Sequence, residues 1–151
     1  MNFIKNSFYL LSLILLVSCK SKQINNGGSQ SVKVRFESEM RIKINNNGFT
    51  LTLYGVDDNI ADVSASIILV KKFKADKIPF DINLPFPKDA HELIEPKVND
   101  LNDVNYYLHM KWDNNNNSKE DKGDIVIDFN KKWPNIDLKK KETQVIYLKK
   151  L

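Results

Sequence analysis

The stretch from Trp112 to Asp124, WDNNNNSKEDKGD, is dense in side-chain oxygens. Asp113, Asn115 and Asn117 recur at every second position, a D-x-N-x-N rhythm that turns alternate oxygen donors toward one centre, as a calcium loop does. Asp121 and Asp124 add two carboxylates further along. Against the EF-hand pattern, Ser118 stands where that loop has its glycine, and Asp124 stands where a bidentate Glu is expected. Two readings follow. Asp113, Asn115, Asn117, Asp121 and Asp124 hold calcium, or the stretch is a polar loop joining two strands.

Other chemistry is sparse. His91 and His109 are the only histidines, and they lack the H-E-x-x-H spacing of a zinc pair. There is no G-x-S-x-G nucleophile elbow. Asp57, Asp58 and Asp62 read as turn acids capping a strand end rather than as an acid–base pair. The chain is therefore expected not to be an enzyme, and no catalytic residue is assigned.

Cys19, the one cysteine, follows an apolar run from Phe8 to Val17 with Lys5 before it. That run is too short for a bilayer-spanning helix of roughly 20 residues and is apolar on every side. It fits the h-region of a secretory signal. Leu16-Val17-Ser18-Cys19 resembles the lipobox of bacterial lipoproteins, in which the cysteine is lipidated and becomes the mature N-terminus. A thiol is the side chain nucleophilic enough to take a lipid as a thioether. The resemblance implies a covalent lipid on Cys19 and no disulfide in the mature chain. Lys20 replaces the Asp that typically retains lipoproteins at an inner membrane, which points to the outer membrane of a Gram-negative cell.

The first eighteen residues contain one cation and no acid, so their removal leaves 133 residues with a side-chain charge of +3. That length supports one domain with its own core. Lysine pairs and triplets at 71–72, 131–132, 139–141 and 149–150 read as solvated strand ends, with contact to anionic lipid or polysaccharide as the alternative. An exported chain has no nucleic-acid partner to expect. After Cys19, KSKQINNGGSQS reads as a flexible tether spanning ~20 Å. The expected organisation is signal peptide 1–18, lipidated tether 19–31 and folded domain 32–151.

From Val32 the period is two. Val32, Val34, Phe36, Met40, Ile42 and Ile44 alternate with charged residues, with one lapse at Ser38, and predict a half-buried strand bent there. NNNG at 45–48 predicts a turn, and Phe49, Leu51 and Leu53 the returning strand of a hairpin. Further strands are expected over 63–73, 79–84, 104–112, 124–129 and 144–151, with 88–94 the only helical candidate. Tyr106, Leu108, Met110 and Trp112 share one face, opposite Tyr107, His109 and Lys111. About seven short strands separated by turns predict an all-β fold, a single compact antiparallel sandwich.

Three stretches, LTLYGVDDNIADVSASIILVKK, KIPFDINLPFP and YYLHMKWDNN, resemble the YbaY/YscW family of small bacterial lipoproteins over residues 49–115. The resemblance implies a lipid-anchored β-sandwich. YscW members are pilotins that bind the C-terminal segment of a secretin and bring it to the outer membrane. The chain departs from the family at Gly55, where Asp is common, and at Ser64, where proline is usual.

Aromatic residues add two expectations. Tyr106 and Trp112 belong to the core face, leaving Trp133 as the remaining member of a conceivable binding patch. In PFDINLPFP the prolines block continued pairing, so an edge strand there offers peptide binding beside Phe80 and Phe86. Two functions follow: a lipid-anchored envelope binding or assembly module, pilotin-like, for an envelope protein such as a secretin; or a calcium-stabilised structural or adhesive envelope domain. Intact-mass measurement of membrane-extracted protein is expected to show a diacylglyceryl group on a chain starting at Cys19. An unmodified N-terminus at another residue refutes the anchor.

Overall fold

Alternation of apolar and polar side chains makes each strand two-faced, and the fold is the way seven such strands hide one face each. The computed structural model describes residues 29–151. The expected signal, Cys19 and most of the expected tether fall outside the described residues. The strands are β1 (Ser29–Glu37), β2 (Gly48–Asp57), β3 (Ser66–Lys74), β4 (Phe80–Pro87), β5 (Val104–Lys111), β6 (Ile125–Ile127) and β7 (Gln144–Lys150). β1 begins at Ser29, three residues before the expected start of the domain at 32. The helical candidate is a single 3-10 turn, Ala90–Leu93. No helix among the described residues is long and apolar enough to cross a membrane.

Two sheets pack face to face, one ordered β4-β1-β7-β6 and the other β3-β2-β5. Four of the five strand pairings are antiparallel, as expected, whereas β1 and β7 run parallel. Val32, Val34 and Phe36 of β1, Leu84 and Phe86 of β4, and Ile146 and Leu148 of β7 point inward from the larger sheet. Phe49, Leu51 and Leu53 of β2 and Leu108 and Met110 of β5 meet them from the smaller one.

The expected hairpin between residues 32–44 and 49–54 does not form. β1 is held on one side by β4, through Phe36 opposite Phe80, and on the other by β7, through Phe36 opposite Ile146. No edge of β1 is left for β2. After Glu37 the chain instead crosses to the second sheet, with Met40 exposed and Ile42 and Ile44 half-buried against the core. The alternation over 38–44 reflects extended backbone draped over the core rather than a paired strand.

Side chains from both sheets meet at one aromatic cluster. Phe36 stacks on Phe80 at 4.9 Å and Phe49 stacks on Trp112 at 4.7 Å. Phe49 and Phe80 join the two pairs at 5.5 Å. At the opposite end Gly55 faces inward, where an added Cβ would stand 2.9 Å from Ile94 Cδ1 and 3.1 Å from Tyr106 Cε1. Side chains there fill the space that an Asp would need. Gly55→Ala is expected to cost about 1–2 kcal/mol in denaturant unfolding, because Ile94 and the Tyr106 ring must both shift. A midpoint unchanged from the parent would contradict this packing.

Candidate functional site

The segment after β5 folds back on itself through its own polar side chains. The carboxylate of Asp113 accepts the backbone N–H of Asn117 at 3.0 Å and that of Ser118 at 2.7 Å. Asn115 and Asn117 each donate a side-chain amide N–H to Asp121, at 2.7 and 2.8 Å. Asn116 and Ser118 take left-handed backbone with φ of 61° and 64°, and Gly123 has φ of 121°. Ser118 thus adopts the conformation that glycine supplies at this position of a calcium loop, at a cost of roughly 1–2 kcal/mol.

Four of the five expected ligands, Asp113, Asn115, Asn117 and Asp121, therefore belong to one hydrogen-bonded loop. Asp124 is placed differently. It is buried at the base of the loop, accepting the N–H of Asn114 at 2.9 Å and of Asp121 at 3.2 Å. Among the described residues no three His, Cys, Asp or Glu side chains converge as a metal-ligand group.

Asn114, which sequence reading passed over, is the fixed point of this region. It is 1 % exposed. Its Oδ1 accepts the N–H of Asn45 at 2.8 Å, and its Nδ2 donates to the carbonyls of Lys43 and Gly123 at 3.2 and 3.1 Å. Asn46 donates to the Asp113 carbonyl at 2.8 Å, and the Trp112 indole donates to the Asn46 carbonyl at 2.6 Å. The NNNG segment is thus docked against residues 112–114 instead of turning a hairpin. Only the odd density of asparagines in both segments hinted at it.

β4 is an edge strand, as its prolines suggest, and pairs with β1 alone. Phe80 is half-buried and Phe86 buried, both turned toward the core. The Phe80 ring lies within 6 Å of Phe36, Phe49 and Trp112. The expected peptide contacts are therefore core residues, and what β4 leaves open is its backbone edge. On its outward face Asp81 bonds Arg35 of β1 at 3.1 Å.

Of the three aromatic residues weighed as a patch, Trp112 is buried and Tyr106 half-buried, as expected. Burial holds the Tyr106 phenol above its ordinary pKa. Trp133 is exposed and packs on Tyr107 at 6.0 Å and on Phe129 at 5.2 Å, while Tyr107 stacks on Tyr54 at 5.3 Å. Tyr54 and Tyr107 lie on the outer face of their sheet. His109 is exposed there too, as its place in the alternation of β5 predicts. Asp57 acts as a turn acid, its carboxylate accepting the N–H of Asn59 at 3.0 Å.

No family model matches the chain, and no curated protein matches it. Among solved structures, an alternative pilotin from the type II secretion system of Vibrio cholerae matches with a TM-score of 0.48 and 18% identity, over 80% of this chain and 96% of that one.

Replacing Asn114 with Ala strips partners from the Asn45 N–H and from the Lys43 and Gly123 carbonyls. The expected loss is about 2–4 kcal/mol, since each buried orphan costs about 1–3 kcal/mol and water recovers part of it. Urea unfolding measures it, and a loss below about 1 kcal/mol would show that Asn114 does not lock the two segments.

Proposed function

We propose that this chain is a lipid-anchored envelope module of non-enzymatic, pilotin-like character, which holds an extended segment of another envelope protein at the outer membrane. The observation that carries this reading is the open side of the sandwich. The edge of β5 is covered, because Leu108 donates its N–H to the Pro134 carbonyl and Ile136 donates to the Tyr106 carbonyl. β6 is tied to the end of β5, since Ile125 donates to the Trp112 carbonyl. β3 and β4, in contrast, are each paired on one side only. An edge strand offers main-chain donors and acceptors to an added strand, and this is how many domains capture extended peptides.

β4 is the better acceptor of the two. Its Phe80 is anchored in the aromatic cluster and its Leu84 and Phe86 in the core, so the edge is held in place before a partner arrives. The edge of β3 carries Lys71, Lys72 and Lys74, the charges that keep edge strands from pairing at random. The lipobox at Cys19 and the YbaY/YscW resemblance support the envelope setting, and a secretin is the partner that the resemblance suggests.

A photo-crosslinking residue at Asn83 in the middle of β4, introduced into cells, is expected to capture one envelope protein. The same probe at exposed Lys140, in the chain segment before β7, is expected not to. Adducts of equal pattern from both positions, or none from Asn83, would overturn the assignment of β4.

A second reading rests on the Asp113 loop. Two backbone N–H groups gathered on one carboxylate, with left-handed residues at 116 and 118, are the turns by which a calcium loop aims its oxygens inward. Calcium would take the place of the two amide donors on Asp121, with Asn115 and Asn117 rotating to present oxygen. The domain would then be stabilised by calcium in a structural or adhesive role. Titration calorimetry with calcium and a calcium-dependent rise in melting temperature are the expected signs. Neither heat nor shift at millimolar calcium ends this reading.

A further inference from the structure

The outer face of the β3-β2-β5 sheet is organised in rows set by register. Ile67, Tyr54 and Tyr107 stand side by side across the three strands, and Trp133 continues the row beyond β5. The next row along the strands is Val70, Thr52 and His109, followed by Lys72, Thr50 and Lys111. Ile67, Val70 and Trp133 are 58, 56 and 54 % exposed. No Asp or Glu stands in these three rows. The face is apolar and aromatic at one end and cationic at the other, over about 13 Å of strand.

Shape and charge together select what covers it. The rows lie on a sheet face, one residue per strand, so a broad surface fits better than a single inserted side chain. Tyr54 and Tyr107 stack on each other with 19° between their planes, so one face of each ring is spent on the other. Trp and Tyr beside aliphatic residues settle at the headgroup level of a bilayer, and lysines near them are drawn to anionic lipids. At the cationic end a cleft of about 490 Å³ is lined by Phe49, Phe73, Lys72, Lys74 and Lys111, with Asp113 on one wall. Three ammonium groups against one carboxylate leave a net attraction for lipid phosphate.

We propose that this face rests on an anionic lipid bilayer, with Trp133 and the tyrosine row in the headgroup layer and Lys72 and Lys111 over lipid phosphates. The proposal builds on the membrane-anchored reading above, in which a lipid on Cys19 holds the domain near the bilayer. That placement leaves the edge of β4, on the other sheet, free for a protein partner.

The two tryptophans make the test, because Trp112 is 2 % exposed and serves as an internal control. The full chain, extracted from membranes, is reconstituted into vesicles of phosphatidylcholine with or without phosphatidylglycerol and with lipids brominated high on the acyl chain. Trp133 is expected to be quenched in the anionic vesicles and Trp112 to be spared, with Trp133→Phe removing the quenched component. Joint Lys72→Glu and Lys111→Glu substitution is expected to lower the quenched fraction roughly tenfold, with the Trp112 emission unchanged. Protein that floats with anionic vesicles while Trp133 stays open to aqueous acrylamide overturns the proposal. Shielding of Trp133 in detergent before lipid is added, which would mark a second copy on this face, overturns it as well. Failure of the anchor reads differently: a chain without lipid on Cys19 that floats with anionic and not with zwitterionic vesicles refutes the anchor and keeps the face.

Discussion

The indole of Trp112 holds the sandwich together at the point where its parts have least reason to meet. Its ring stacks on Phe49 of one sheet and packs against Phe80 of the other, while its N–H is spent on the Asn46 carbonyl of the crossing segment. A buried indole needs a partner for its N–H, and a chain segment passing between sheets needs partners for its carbonyls. One bond answers both needs. With no cysteine among the described residues, such contacts take the part that disulfides play in many secreted domains.

Asn114 extends the same solution by two residues. With three side-chain hydrogen bonds into Asn45, Lys43 and Gly123, it fastens the crossing segment to the base of the Asp113 loop. Asp124 closes that base from below. The loop tip, where Asn115, Asn117 and Asp121 stand exposed and Asp113 is half-buried, is thereby carried on a braced base. The tip bonds within itself, and its base is committed to holding the fold.

Period two made the strands legible, and it did so because each strand hides one face. Six of the seven lie within about three residues of where the alternation placed them, whereas β1 ends at Glu37, well short of the expected Ile44; the core face of β5 was read correctly to the residue. Periodicity names a face and not a neighbour, however. The alternation of residues 32–44 and 49–54 is the same whether the strands pair or sit in opposite sheets, and here β4 and β7 occupy both sides of β1. Long-range polar contacts were equally hidden, since nothing local about Asn114 announces a partner 69 residues away. Phe80 and Phe86 show a related limit: the prolines beside them mark an edge strand, while the direction of their rings, toward the core, is set by the register of β4 on β1. The row of Tyr54, Tyr107 and Trp133 needs the register of three chain segments before it exists at all.

β1 opens the described part of the chain, yet it sits inside its sheet, with β4 on one side and β7 on the other. β7 is also the last strand to be made. The first strand therefore stays without its second neighbour until about residue 144 has emerged. Contacts of such long reach form slowly. A chain arranged this way cannot complete its larger sheet until β7 has been made. Its topology works as a delay between the synthesis of the first described strand and the closing of the sheet around it.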